Sequence, residues 1–264
     1  MSESAPEPKP RMALRASLFA ILFVLALGVG AGIFGGVAET LTGAVGILAV
    51  AVMVANGVAF VAAGLLTLLT YRVRPLDYLP LGPIGTTGWL AGALLGIGTA
   101  LFNLTLTTRL LPLFDLGYAE MMEQTFESIT ALITIAGTWA LAGLMIPVCE
   151  ELLFRGVIQR SLQVRFGART AVVVAAIIFG AFHVHPVHAL IAFGLGVVAG
   201  TAMVVTRSVW AAVAVHVANN TFAISISLID SELEHAPMWM LAPAAIALVA
   251  GATLLRQSRP AATA

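Results

Sequence analysis

The chain has 264 residues, of which 60% are apolar and only 10% are Asp, Glu, Lys or Arg. Its mean hydropathy is +1.01, and its 13 basic and 13 acidic residues leave a formal net charge of +0. Because soluble domains carry about 25% charged residues, this composition excludes a soluble globular enzyme, a disordered chain and a typical nucleic-acid-binding protein, and it indicates a polytopic membrane protein.

Apolar segments long enough to cross a bilayer recur along the whole chain. A spanning helix needs about 20 apolar residues, and the segments that meet this rule are Ser17–Val37, Gly43–Thr70, Gly88–Thr108, Ile129–Val148, Thr170–Phe182, Val187–Val205, Val209–Ile229 and Met238–Leu255. The sequence therefore predicts an all-α, polytopic transmembrane bundle of about eight spans, forming one domain over residues 14–256. Residues 1–13 are expected to be a disordered cytoplasmic N-terminus, and residues 257–264 a C-terminal tail.

Charged residues alternate in sign between the ends of the predicted spans. The even-numbered spans are followed by basic residues, such as Arg72 and Arg74 after the second span, whereas the odd-numbered spans are followed by Asp and Glu. The positive-inside rule then predicts a multi-pass protein of the cell (inner or plasma) membrane with both termini in the cytoplasm. The connection Leu110–Ser128 is expected to be a loop or an interfacial helix, and Cys149 a small buried hydrophobe.

Ionisable residues at membrane depth are expensive to bury and usually mark function. Glu150 and Glu151 directly follow the fourth predicted span, and Arg155 lies four residues after Glu151. If the helix continues, Glu151 and Arg155 share one face and can form an ion pair. Glu150 is rotated from Glu151 by about 100°, so its carboxylate is available for another role.

A second polar position follows the fifth predicted span. His183 ends a nearly pure apolar segment, and Phe179 lies one helical turn before it on the same face. His185 and His188 do not share a helix face with His183, and Pro186 interrupts the segment. We therefore interpret His183 as functional and the other two histidines as residues at the rim of a site.

His216 and Asn220 lie on one face of the seventh predicted span. Buried polar groups need partners, so both are predicted to face another polar element of the bundle. A carboxylate and an imidazole can activate a water molecule, while a second imidazole and a carboxamide can donate to an oxyanion. Glu150, His183 and His216 could also ligate a divalent metal such as zinc.

The order Glu-Glu-x-x-x-Arg, Phe-x-x-x-His and His-x-x-x-Asn resembles that of the CPBP family, which groups CAAX prenyl proteases with bacteriocin-processing membrane proteins. The resemblance extends over about residues 141–221, and the short chain is similar to bacterial members. It implies an intramembrane endopeptidase in which Glu150 and His183 activate water and His216 and Asn220 stabilise the oxyanion.

The resemblance also implies structural support from the remaining motif residues, which are Glu151, Arg155 and Phe179. The implied partners are a membrane-associated peptide or protein substrate and the lipid bilayer, with no nucleic acid. Both a metal-dependent and a metal-free, glutamate-dependent mechanism are compatible with the motifs. The main alternative is a non-catalytic bacteriocin-immunity or scaffold protein of the same fold. A proton-coupled transporter is a weaker alternative, because the sequence contains no repeat halves.

Overall fold

The computed structural model describes residues 45–114, 135–183, 185–229 and 236–259, together with Arg15 and Ile133. These parts of the chain form helices and short connections without any strand, which confirms the predicted all-α class. The first predicted span, the predicted N-terminal tail over residues 1–13, residues 260–264 of the predicted C-terminal tail and residues 115–128 of the predicted connection lie outside the described residues.

The helices, numbered in chain order, are α1 Val45–Thr70, α2 Pro75–Tyr78, α3 Thr86–Phe114, α4 over residues 135–166, α5 Ala168–Ala181, α6 Pro186–Thr206, α7 Val209–Ile229 and α8 Leu241–Gln257. A 3-10 turn, Met238–Met240, leads into α8. Five helices (α1, α3, α6, α7 and α8) are long and apolar enough to cross a bilayer, and α5 is a shorter apolar helix of 14 residues. The chain is a multi-pass membrane protein.

The hydrogen-bond pattern of α4 changes along its length. The helix is π-helical over Trp139–Met145 and again over Leu152–Gln159, and the α-helical turn Ile146–Glu151 lies between these segments. Stretches of π-helix are rare and frequently occur at functional sites. In this protein they flank the turn that carries Glu150 and Glu151.

Small residues allow α3 to approach its neighbours closely. A Cβ atom on Gly92 would lie 2.5 Å from the Cβ of Ala214 in α7, and one on Gly251 of α8 would lie 3.0 Å from the carbonyl oxygen of Ala91. Such contacts between backbones are typical of helix packing in lipid. They place α3 between α7 and α8 and fix the position of α7, which carries part of the predicted site.

The observed helices differ from the predicted spans mainly at their ends. Residues Leu110–Phe114, predicted to begin a connection, instead form the last turns of α3 despite Pro112. The residues around this proline are apolar, and a proline near a helix end removes only one backbone hydrogen bond. The short helix α2 was not predicted, since four residues carry no periodic pattern.

Candidate active site

Side chains of α4 and α7 meet in the interior of the bundle, and His183 is connected to them through the ring of Phe179. Helix α4 carries Glu150 and Glu151, α7 carries His216, and His183 lies directly after α5. Glu150, Glu151 and His216 are buried, although each is ionisable. This position inside the protein is where functional ionisable residues of membrane proteins are found.

The imidazole of His216 lies between the two adjacent carboxylates. Its Nδ1 donates a hydrogen bond to Oε1 of Glu151 over 2.7 Å, and its Nε2 lies 3.7 Å from Oε2 of Glu150. The hydrogen bond at Nδ1 fixes the orientation of the ring, so that Nε2 faces Glu150. The two glutamates are therefore the polar partners that the sequence required for His216.

Glu151 also forms the predicted ion pair with Arg155. The distance from Glu151 Oε2 to Arg155 Nε is 3.1 Å, and both side chains are fully buried. The guanidinium carbon of Arg155 lies 4.6 Å from the ring centroid of Phe179. Gly196 also lies beside this guanidinium, since a Cβ atom on Gly196 would be 3.3 Å from Arg155 Nη2. Glu151 thus connects His216 to a buried cation and is held from both sides.

Phe179 lies between the two imidazoles of the predicted site. Its ring centroid is 4.9 Å from that of His183 and 5.6 Å from that of His216, in edge-on arrangements. Nδ1 of His183 donates to the carbonyl oxygen of Phe179 over 2.9 Å, which leaves Nε2 as the acceptor of a neutral ring. The ring of His188 packs 4.5 Å from His183, because Pro186 starts a new helix and the chain turns between the two histidines.

Asn220 of α7 bonds to a backbone carbonyl of α4. Its Nδ2 donates to the carbonyl oxygen of Ala142 over 3.1 Å. That carbonyl lies in the π-helical segment, where the N–H of Ile146 bonds to Leu141 instead. The next candidate donor, five residues after Ala142, is Pro147, which has no N–H. Asn220 therefore supplies a side-chain donor to a carbonyl whose i+5 position is a proline.

A comparison with protein families bears directly on this arrangement. Residues 132–222 match the model of a family described as type II CAAX prenyl endopeptidase Rce1-like. The matched segment, residues 132–222, is similar to that family. It contains Glu150, His183, His216 and Asn220, so the resemblance drawn from the motifs is confirmed, and it supports an intramembrane endopeptidase. Neither the curated proteins nor the solved structures gave a match to this chain.

The family resemblance raises the question of a metal ion at this site. Both imidazoles are held at Nδ1, as metal-ligating histidines commonly are: His216 by a carboxylate and His183 by a carbonyl oxygen. However, the described residues contain no group of three His, Cys, Asp or Glu side chains that could hold a metal ion. The side-chain arrangement in this structure therefore does not fit the predicted ligand set of Glu150, His183 and His216.

Sequence reasoning missed Gln159, which extends the buried polar residues of α4 by one turn beyond Arg155. Gln159 is fully buried, and its Nε2 donates to the carbonyl oxygen of Gly200 over 3.0 Å. Glu151, Arg155 and Gln159 recur at intervals of four, and Gly196 and Gly200 have the same spacing on the facing helix α6. These two matching spacings could have predicted the position of Gln159, because the glycines of one helix leave the space that the long polar side chains of the other occupy.

Proposed function

We propose that the protein is an intramembrane endopeptidase that hydrolyses a peptide bond in a membrane-associated peptide or protein. The observation that carries this proposal is the buried imidazole of His216 held between Glu150 and Glu151, at 3.7 and 2.7 Å respectively. Burying two carboxylates and a histidine among apolar helices is expensive. Packing alone does not require such a group, whereas a site that activates water for hydrolysis can use it.

In the proposed mechanism, Glu150 and His183 bind and deprotonate a water molecule. The water oxygen attacks the scissile carbonyl carbon as its proton passes to the Glu150 carboxylate. The carbon–nitrogen bond then breaks as the same proton is delivered to the leaving nitrogen. The 2.9 Å hydrogen bond from His183 to a backbone carbonyl keeps its Nε2 directed away from its own helix, where it can accept a hydrogen bond from that water.

His216 and Asn220 are proposed to stabilise the negative oxygen of the tetrahedral intermediate. Because Nδ1 of His216 is bonded to Glu151, the donor is Nε2–H of the protonated ring, which the carboxylate of Glu151 stabilises. Asn220 gives one amide N–H to Ala142, and its second N–H is the donor for the oxyanion. Positioned donors of this kind contribute roughly 10²–10³-fold in rate each.

Cleavage of a fluorogenic peptide library by the protein in proteoliposomes tests the proposal. Glu150→Gln and His183→Ala are each expected to lower the rate of cleavage by about 10²–10⁴-fold, the usual contribution of a general base. Asp77→Asn is the matched control, because Asp77 is an exposed carboxylate on α2, outside the site. If Glu150→Gln and His183→Ala cleave as fast as the wild type, the catalytic assignment is wrong and the scaffold alternative gains support.

Metal analysis of the same preparations separates the two versions of the mechanism. The metal-free version predicts that wild-type activity survives exhaustive treatment with a chelator. Stoichiometric zinc that is present in the wild type and absent from Glu150→Gln, His183→Ala and His216→Ala would instead support a metal-dependent mechanism. That result would also mean that the side chains rearrange when the ion binds.

A further inference from the structure

A cavity of about 530 Å³ opens at one end of the bundle, outside the site described above. The last turns of α4, the start of α5 and the last turn of α6 surround it, and its polar lining consists of Arg160, Gln163 and Arg207. Its apolar wall includes Val164, Met203 and Val204. Arg160 follows Glu151 by nine residues, and no residue of the candidate active site lines the cavity, so the two are separate.

The two arginines give this cavity a positive charge that the described residues do not neutralise. The acidic side chains of the described residues are Asp77, Glu150 and Glu151, and none of them forms an ion pair with Arg160 or Arg207. Two guanidinium groups beside one cavity repel each other unless an anion lies between them. Their planar forks match the oxygen atoms of a phosphate group.

Arg160 is held beside the cavity by Tyr78 rather than by an acid. Its guanidinium carbon lies 5.1 Å from the ring centroid of Tyr78, and the phenol oxygen forms a 2.9 Å hydrogen bond with Ser161. Burial raises the pKa of Tyr78 above its ordinary value, so the phenol stays neutral near pH 7. The aromatic ring therefore orients Arg160 and leaves its charge available to a ligand.

The wall beside Arg207 is fixed before any ligand binds. Val209 N–H donates to the carbonyl oxygen of Pro80 over 2.8 Å, and the indole N–H of Trp210 donates to that of Leu81 over 3.1 Å. Ser208 forms a further hydrogen bond with Gly82. A cavity that is already organised loses little conformational entropy on binding.

We propose that this cavity binds the phosphate of an anionic membrane lipid, with Arg160 and Arg207 on either side of the headgroup. It lies at the basic ends of the helices, where lipid headgroups are located, and basic pockets between membrane helices are typical headgroup sites. Its volume exceeds that of a bare phosphate ion. The apolar wall formed by Val164, Met203 and Val204 suits the glycerol and the first methylene groups of a lipid.

A lipid titration tests this site. The full chain in detergent is titrated with short-chain phosphatidylglycerol, and binding is measured as a change in the midpoint of thermal unfolding. The wild type is expected to gain thermal stability with phosphatidylglycerol and to respond at least tenfold more weakly to phosphatidylcholine, which carries no net charge. The double variant Arg160→Gln/Arg207→Gln is expected to bind phosphatidylglycerol at least tenfold more weakly. The control Arg165→Gln/Arg256→Gln removes the same charge from exposed positions outside the cavity and should bind as the wild type does.

Equal loss of binding in the test and control variants would overturn the proposal, because the general attraction between the anionic lipid and the basic end of the bundle would then explain the binding. So would a wild type that does not distinguish the two lipids. Inorganic phosphate that binds as tightly as phosphatidylglycerol would make the ligand a free ion and refute the lipid assignment. If the variant Arg160→Gln/Arg207→Gln does not fold, the variant Arg160→Lys/Arg207→Lys tests the site instead, because lysine keeps the positive charge but lacks the planar guanidinium. Weaker binding of phosphatidylglycerol by the lysine variant would support the site, and unchanged binding would refute it.

Discussion

Glu150 and Glu151 are neighbours in the chain, but their carboxylates meet different groups. Glu151 contacts two cationic or polar partners, Arg155 at 3.1 Å and His216 at 2.7 Å, and it is fully buried. Glu150 has its nearest such partner, Nε2 of His216, at 3.7 Å, beyond hydrogen-bonding distance. Glu151 therefore holds Arg155 and His216 in place, whereas the carboxylate of Glu150 is free to bind a water molecule or a substrate.

This difference predicts unequal effects on stability for the same substitution, Glu to Gln, at the two positions. Glu151→Gln leaves the buried guanidinium of Arg155 without a counter-charge, which is expected to cost about 3–5 kcal/mol. Glu150→Gln removes a carboxylate whose nearest cationic or polar partner, Nε2 of His216, is 3.7 Å away, and it leaves the ion pair of Arg155 intact, so it should cost clearly less stability than Glu151→Gln. Thermal unfolding of both variants in the same detergent measures this. A lower midpoint for Glu150→Gln than for Glu151→Gln would contradict the assignment.

The sequence predicted part of these contacts, and the reason for the remainder is physical. The pair of Glu151 and Arg155 follows from their spacing on one helix. Partners on another helix, such as His216, could be expected only as a class of polar group, because spacing carries no information across a bundle. The bond from Asn220 to Ala142 was beyond prediction, because it depends on a π-helical segment followed by Pro147.

At the level of helices, the contact between α3 and α7 determines where His216 lies. A Cβ atom on Gly96 would collide with the carbonyl oxygen of Val215 and would lie 2.8 Å from the Cβ of Ala218. Both obstacles belong to α7, on either side of His216 in the sequence, and a backbone atom cannot move aside as a flexible side chain can. The space at Gly96 is therefore a condition for assembling the site.

Gly96→Ala is expected to destabilise the protein by about 1–3 kcal/mol through overpacking, and to lower the cleavage of fluorogenic peptides because α7 shifts. Gly194→Ala is the matched control, since a Cβ at this helical position meets no atom within 4 Å; alanine there should fold at least as well, by its higher helix propensity. The midpoints of thermal unfolding of the two variants measure this difference in stability. Equal midpoints for the two variants would show that this helix contact is looser than the structure indicates.

Helix positions were more predictable than helix details. The seventh predicted span coincides with α7, Val209–Ile229, because a charged turn and a change in polarity define both ends. The extension of α3 through Pro112 and the π-helical segments of α4 were not predicted. Both depend on how the backbone is packed against neighbouring helices, and apolar composition alone does not determine this.

Across the whole molecule, the described arginines are concentrated at one end of the bundle. The turns and helix ends there carry Arg72, Arg74, Arg165, Arg169, Arg207 and Arg256. Arg109 belongs to the opposite end, where its guanidinium donates to the carbonyl oxygen of Ala236 over 3.4 Å. Because cytoplasmic loops retain Lys and Arg, the basic end, which includes the proposed lipid cavity, is predicted to face the cytoplasm.

Helix α8 offers a direct test of this orientation, because its two ends lie at opposite faces of the bundle. On a Cys149→Ser background, which removes the only native thiol, Met238→Cys and Gln257→Cys each place one exposed cysteine at an end. A membrane-impermeant maleimide applied to right-side-out vesicles should label Met238→Cys at once and Gln257→Cys only after the membrane is permeabilised. The reverse pattern would place the arginines outside, contrary to the positive-inside rule, and would move the lipid cavity to the outer leaflet.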